Sequence, residues 1–87
     1  MFAALAHPQR RQILTVLRAR GGTLTSGQLA RRFECAWPTT TRHLRVLTEA
    51  GLVAVSRQGR ERHYHLDRDV LVGVAGGWIA RFEEPPP

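Results

Sequence analysis

The 87-residue chain contains a single cysteine, no lysine and no long apolar run. One cysteine, Cys35, excludes an internal disulfide bond and a cysteine-rich metal site, which fits a reducing compartment. The longest apolar stretch, residues 70–80, has 11 residues and three glycines, whereas a membrane-spanning helix needs about 20 residues. The opening residues have neither the basic start nor the apolar length of a signal peptide. We therefore expect a cytoplasmic protein that makes no membrane contact.

The sequence also lacks the signatures of catalysis. It has no Ser/His/Asp order, no glycine loop that would cradle a phosphate and no paired carboxylates beside a candidate pocket. The length suits one domain, residues 1–87, but is too short to enclose a sizeable active site. We therefore predict that the protein is not an enzyme and needs no cofactor.

What the sequence does contain is an excess of arginine. Thirteen arginines face seven acidic residues, so that the formal net charge is +6 and the isoelectric point is near 11.5. Between residues 31 and 62, three acidic residues stand against seven arginines: Arg31, Arg32, Arg42, Arg45, Arg57, Arg60 and Arg62. Such a basic block predicts a polyanionic partner. The alternatives are a solubilising surface or an arginine-rich genome, and the absence of lysine fits the second.

The N-terminal part alternates helical periodicity with helix breakers. A short helix is predicted at residues 2–6, and Pro8 suits the first position of a second helix, which Gly21 and Gly22 end. Residues 23–25 can form one short strand. The second helix is expected to have an apolar stripe facing inward, Ile13, Leu14 and Leu17, and a basic stripe in water, Arg10, Arg11, Arg18 and Arg20.

A third helix begins at a capping box, in which Thr25 and Gln28 satisfy each other's backbone groups. A tight turn at residues 34–36 leads to a fourth helix that ends at Gly51. Two helices joined by so short a turn, the second rich in arginine, predict a helix-turn-helix at about residues 25–50. The third helix is expected to bury Leu29, Ala30 and Phe33.

A hairpin follows the helix-turn-helix, because two alternating strands within residues 52–66 are joined by an arginine-rich tip around Gly59. A last helix is predicted at about residues 68–82, with Asp67 and Asp69 at its N-terminus. This order of parts predicts a mainly α fold with a small β hairpin. It is a winged helix-turn-helix of about five helices plus a two-stranded wing.

The fourth helix divides into two arcs when each residue is rotated by ~100°. The inward arc is expected to hold Thr40, His43, Leu44 and Leu47. The opposite arc would meet a DNA major groove, and it holds Trp37, Pro38, Thr41, Arg42 and Arg45.

The outward side chains have distinct expected roles on DNA. Arg42 and Arg45 can bind guanine or phosphate. Thr39 and Thr41 can donate hydroxyls to phosphate or offer a methyl group to thymine. For these four residues the alternative is ordinary solvated helix surface. Trp37 either stacks on a sugar or a thymine methyl, or packs over the turn.

The hairpin tip is also expected to touch DNA. Arg57, Gln58, Arg60 and Arg62 surround a glycine that fits a narrow minor groove, where arginine is favoured. The alternative is a basic hairpin without a nucleic-acid role. Neutralising ~4–6 phosphates per protomer would make affinity fall steeply with salt concentration.

Four stretches, ALAHPQRRQIL, TSGQLARRF, TTTRHLRVLTEAGLV and GRERHYHLD, resemble the ArsR type of winged helix-turn-helix regulator. The resemblance implies a homodimeric bacterial repressor of a palindromic operator, which an inducer, often a metal, releases. The chain departs from the family pattern at Glu34, Ala36 and Trp37, where the family commonly has glycine, serine and glutamine. It also lacks the Cys-x-Cys pair that metal-sensing members carry on the third helix.

The last helix is apolar nearly all round, so that it needs burial on more than one side. A chain this small has a thin core of its own, and a second copy would supply the missing surface. The alternative is a helix that folds back on its own core in a monomer. The expected dimer interface consists of Phe2, Leu5, Leu71, Val74, Ala75, Trp78 and Phe82.

The remaining polar candidates give weaker signals. His63 and His65 share one face of a strand and can chelate, but no further ligand has useful spacing, so that we predict no metal site. Cys35 is expected to be an inert buried thiol, with a redox switch as the alternative. His43 is expected to make a structural hydrogen bond. The sequence does not name an operator or an effector, and an RNA-binding or protein-interaction winged helix is the alternative function.

Overall fold

A computed structural model describes residues 1–33 and 37–87. The predicted turn at 34–36, with its departures at Glu34 and Ala36 and the thiol of Cys35, lies outside the described residues. The elements are α1 (Phe2–Leu5), α2 (Pro8–Ala19), β1 (Thr23–Thr25), α3 (Ser26–Arg32), α4 (Trp37–Glu49), β2 (Val53–Gln58), β3 (Glu61–Leu66), α5 (Arg68–Leu71) and α6 (Gly77–Glu83), with a π-helical segment (Val72–Gly76) between the last two.

Helix α2 begins and ends at the predicted signals. Pro8 occupies its first turn, and the side chain of His7 accepts a hydrogen bond from the backbone N–H of Gln9 at 3.1 Å. At the other end, the N–H of Gly22 donates to the carbonyl of Leu17 at 2.7 Å. Gly22 has a φ of +93°, a conformation that L side chains rarely adopt, so that glycine is suited to this position.

Helix α3 carries the predicted capping box: the N–H of Gln28 donates to the Thr25 hydroxyl, and the Thr25 N–H donates to the Gln28 side chain. Leu29 and Phe33 are buried as predicted. The predicted burial of Ala30 is wrong, because this residue is exposed. Its position, ~100° around the helix from Leu29, turns it away from the core that Leu29 and Phe33 contact.

The three strands form one antiparallel sheet in the order β1-β3-β2. The hairpin of β2 and β3 is the predicted wing, and the short strand expected at 23–25 adds a third strand to it. Tyr64 lies between Leu24 and Val55 in the strand register and faces the core, where it is buried. The predicted mainly α fold with a β hairpin is therefore confirmed, and the sheet extends from two strands to three.

The core lies between α2, α3, α4 and the inner face of the sheet. Its fully buried side chains include Ile13, Leu17, Leu29, Leu44, Leu47, Leu52 and Val53. The prediction that all four arginines of α2 face water is wrong for Arg10. Its Nε donates to the carbonyl of Ala4 at 2.8 Å, and a terminal nitrogen donates to Ala3 at 3.1 Å. These bonds satisfy carbonyl groups at the end of α1.

The last helix begins where predicted, since the Asp67 side chain accepts a hydrogen bond from the N–H of Val70 at 3.2 Å. No side chain of α6 is buried in the described structure. The end of the predicted last helix, α6, therefore does not pack into the described core, whereas Val70 and Leu71 at its start do. Among residues 1–33 and 37–87, no helix is both long and apolar enough to cross a lipid bilayer.

Candidate nucleic-acid interface

Helix α4 has one buried face and one exposed face, as its periodicity predicts. Thr40, Leu44 and Leu47 retain 1% or less of their accessible surface. Another part of the helix surface is open, and its exposed residues are Pro38, Thr39, Arg42 and Arg45. Burial of the first set fixes the rotation of the helix, so that the two arginines project from the molecule.

Two of the α4 residues predicted to contact DNA are less exposed than the arginines. Trp37 is half-buried and packs against the hydrophobic core. The turn lies outside the described residues, so that both its packing there and its stacking on DNA stay predictions. Thr41 is half-buried, and its hydroxyl oxygen is buried without a hydrogen-bond partner among the described residues. The prediction that both threonines offer surface hydroxyls therefore fits Thr39 and is wrong for Thr41 in this conformation.

A glycine turn sets the direction from α4 into the wing. The N–H of Leu52 donates to the Leu47 carbonyl, and the N–H of Gly51 donates to the Thr48 carbonyl, both at 3.0 Å. This is a Schellman motif, in which Gly51 adopts a φ of +78°. Leu52 is fully buried, so that the turn is anchored to the core and the hairpin is held beside α4.

The wing ends in a two-residue loop, Gly59–Arg60, closed by the pairing of Gln58 with Glu61. Gly59 has a φ of +64°, which suits the first central position of a type II′ turn. All four predicted wing residues are exposed. These are Arg57, Gln58, Arg60 and Arg62.

The arginines of the wing have no carboxylate partner among residues 1–33 and 37–87. Arg57 and Arg62 are direct cross-strand partners, an arrangement in which like charges destabilise a sheet. Among the residues described, the one basic side chain within 4 Å of a carboxylate is His63, whose Nε2 lies 3.8 Å from a Glu61 oxygen, and no arginine lies that close. The wing therefore presents free guanidinium groups next to the exposed face of α4.

His43 connects α4 to the N-terminal helices. Its Nδ1 lies 3.4 Å from a terminal nitrogen of Arg10, and its ring centroid is 4.4 Å from that of His7. Partial burial, the neighbouring His7 and the positive charges of Arg10 and Arg42 lower the pKa of His43. The predicted structural hydrogen bond is thus present, and Arg10 is the partner that sequence periodicity alone did not identify.

His65, on β3 of the sheet, makes hydrogen bonds to two hydroxyl groups. His65 bonds through Nδ1 to Thr23 at 2.9 Å and through Nε2 to Ser56 at 2.8 Å, while His63 stacks beside it. Both ring nitrogens of His65 are therefore engaged. In the described part of the chain, no three His, Cys, Asp or Glu residues are grouped so that they could hold a metal ion.

The predicted interface set forms an exposed aromatic cluster at the two chain ends. The ring centroids of Phe2 and Trp78 are 5.3 Å apart, and those of Trp78 and Phe82 are 4.9 Å apart. These three rings and Val74 are 47–71% exposed. Three members of the set are half-buried: Leu5, Leu71 and Ala75. Two further large apolar residues of the C-terminal segment, Val72 and Ile79, are exposed and were not in the predicted set.

Comparisons with known proteins agree with this layout. A family model described as a helix-turn-helix domain matches residues 5–56. The transcriptional repressor SdpR of Bacillus subtilis is 35% identical over 82 residues, covering 94% of this chain and 88% of that protein. A biofilm growth-associated repressor of Agrobacterium fabrum is 32% identical over 85 residues, covering 98% and 71%. The crystal structure of an ArsR family transcriptional regulator superposes with a TM-score of 0.78 at 33% identity, covering 94% of this chain and 81% of that one.

Proposed function

The chain belongs to the ArsR family of helix-turn-helix transcriptional regulators, and on that premise we propose that it is a cytoplasmic homodimeric repressor of a palindromic DNA operator. The family consists of DNA-binding regulators rather than enzymes, so the prediction that the chain is not an enzyme is confirmed. Two relatives are named as repressors, which supports repression over activation.

The observation that carries the proposal is the combined basic surface of α4 and the wing. Arg42 and Arg45 project from the exposed face of α4, while Arg57 and Arg62 stand opposite each other on the hairpin without a carboxylate partner among the described residues. Keeping like charges adjacent is unfavourable in the free protein. A phosphate backbone would relieve that repulsion, because it brings negative charge to both elements at once.

In this proposal each part of residues 1–87 has one task. The helix-turn-helix at about 25–50 enters the major groove, and the wing at about 52–66 reaches the adjacent minor groove. The helix at about 68–82 joins two copies, so that a twofold axis places the recognition helices ~34 Å apart, one turn of DNA. This spacing accounts for a palindromic operator.

Fluorescence anisotropy with three nucleic acids tests the proposal. The probes are the DNA fragment that the protein selects from its host genome, a random duplex of equal length and an RNA hairpin. We expect the selected duplex to bind most tightly, with affinity falling with salt at a log–log slope of about −0.9 per phosphate contact. Preference for the RNA hairpin would instead favour an RNA-binding module.

Single arginine substitutions locate the contact. R42A and R45A should each weaken duplex binding about tenfold or more, while the melting temperature stays the same because both side chains are exposed. R18A, which removes an exposed arginine from α2, is the matched control. Unchanged duplex affinity in both α4 variants would contradict the placement of the DNA site.

A further inference from the structure

An open cleft of about 340 Å³ lies between α4 and the wing. Helix α4 contributes Thr41, Leu44 and Arg45 to it, and the hairpin contributes Val55, Arg62 and Tyr64. Leu44 and Tyr64 belong to the hydrophobic core, so that the floor of the cleft is apolar and fixed. The volume of the cleft lies at the lower end of the range for small-molecule sites, which are largely apolar with a few polar groups.

Two features that the basic surface of α4 and the wing does not explain meet in this cleft. Val55 is a β-branched residue on the inner face of the wing, yet it is 46% exposed. It does not belong to the exposed aromatic cluster of the chain ends. Thr41 has a buried hydroxyl without a partner in the described structure, a state that costs about 1–3 kcal/mol. A ligand in the cleft would cover Val55, and rotation of the Thr41 side chain toward an acceptor would satisfy its hydroxyl.

The rim of the cleft specifies the charge of the occupant. Arg45 and Arg62 both line it, one from each element, and neither is within ion-pairing distance of a carboxylate in the described residues. Glu49 also lines the cleft, one helical turn after Arg45, but the two side chains do not pair. Two guanidinium groups above an apolar floor match a carboxylate on a compact hydrocarbon body.

We propose that this cleft binds a small amphipathic carboxylate, and that this ligand and operator DNA exclude each other. The carboxylate would pair with Arg45 and Arg62, and the hydrocarbon part would cover Val55 and Leu44. The inference rests on the proposed function, because Arg45 and Arg62 are also the groups expected to hold DNA. A ligand that engages both arginines removes them from the DNA surface, so that each partner weakens the binding of the other.

The test uses phenylacetate and octanoate as probes, with phenylacetamide and octanamide as uncharged matches of nearly the same shape. NMR amide shifts report direct binding to the full-length protein. We expect the acids, and not the amides, to shift Thr41, Arg45, Val55 and Tyr64. A saturating acid should weaken binding of the selected duplex about tenfold.

The variant V55F fills the cleft from the wing side, and A54F places the same ring on the opposite face of the same strand. V55F should abolish the probe shifts and the competition while the duplex still binds, whereas A54F should retain both. Normal duplex binding without any acid-specific shift at the cleft overturns the ligand site and leaves the proposed function intact. The ligand site is also overturned if no acid binds and V55F, but not A54F, weakens duplex binding. In that case the cleft receives the DNA strand. Failure of the wild-type protein to bind any duplex overturns the proposed function instead.

Discussion

Arg10 links the N-terminal helix α1 to helix α4. One side chain donates to the carbonyls of Ala3 and Ala4 and also contacts the ring of His43. The last contact requires a lone pair on His43 Nδ1, because a guanidinium group has donors only. Arg10 thus reaches from the end of α1, whose Phe2 belongs to the exposed aromatic cluster, to a residue next to Arg42.

The state of His43 makes stability depend on pH in a defined direction. Because its pKa is lowered in the folded protein, the unfolded chain binds the proton more readily below about pH 6.5. Above that value both states carry the neutral ring, and His43 contributes no pH dependence. As the pH falls below it, His43 takes up a proton in the unfolded chain before it does so in the folded protein. The free energy of unfolding therefore decreases as the pH falls.

We therefore expect the wild-type melting temperature to fall between about pH 7 and about pH 5.5, and H43Q to fall less over the same range. Glutamine retains a hydrogen-bond acceptor for Arg10 and does not titrate. Calorimetry at a series of pH values checks this, with H63Q on the sheet as the control substitution. If the melting temperature of H43Q falls with pH as steeply as that of the wild type, His43 is not the source of the pH dependence.

At the scale of elements, the wing carries a conflict between stability and function. Arg57 and Arg62 are opposite one another on β2 and β3, and the hairpin would be more stable without one of these charges. Their position beside α4 suits a phosphate backbone. The destabilising pair is thus explained if the partner is a polyanion.

The substitution R57Q should separate these two effects. We expect it to raise the free energy of unfolding by about 0.2–1 kcal/mol, because it removes cross-strand repulsion. Duplex affinity should fall at the same time, with a salt slope shallower by about one contact. Urea titration and anisotropy measure the two quantities. R18Q, on the exposed surface of α2, is the control, and a destabilised R57Q would show that the arginine is structural.

The elements also show which features a sequence can predict. The capping box of Thr25 and Gln28 and the cap at Asp67 involve residues three positions apart, so that local sequence predicts them fully. The roles of Arg10 and Thr41 depend on helices and strands distant in the chain. Periodicity places a residue on one side of a helix, but it does not say whether a neighbouring element covers that side. For that reason the buried face of α4 was predicted, while the cleft beneath the wing was not.

At the scale of the whole molecule, the exposed apolar surface is concentrated on the helices at the chain ends. The molecule measures 54 × 24 × 22 Å, which is elongated for 87 residues. Trp78, Ile79 and Phe82 are between 49% and 71% exposed on α6, and Phe2 of α1 contacts Trp78. Exposed patches of this kind mark protein interaction sites. In the proposed homodimer a second copy would cover this patch and would also place two basic surfaces on one duplex.

The last prediction concerns this apolar surface. F82E should convert the proposed dimer to a monomer, because a carboxylate buried in the proposed interface would lack a partner. W78A should weaken that dimer by removing the central ring. The fold should survive both changes, since neither side chain is buried within the chain. Sedimentation velocity measures the association, and circular dichroism measures the fold.

Loss of the dimer should also reduce operator affinity far more than the change in surface charge does. Two linked recognition helices bind with an avidity that can exceed the single-site affinity about 10²–10⁴-fold, and a monomer forfeits this gain. A80E adds the same charge ~200° around the same exposed helix, so that it should leave dimer and affinity nearly unchanged. If F82E remains a dimer, the copies meet elsewhere. If it becomes a monomer with wild-type operator affinity, the two recognition surfaces do not act together.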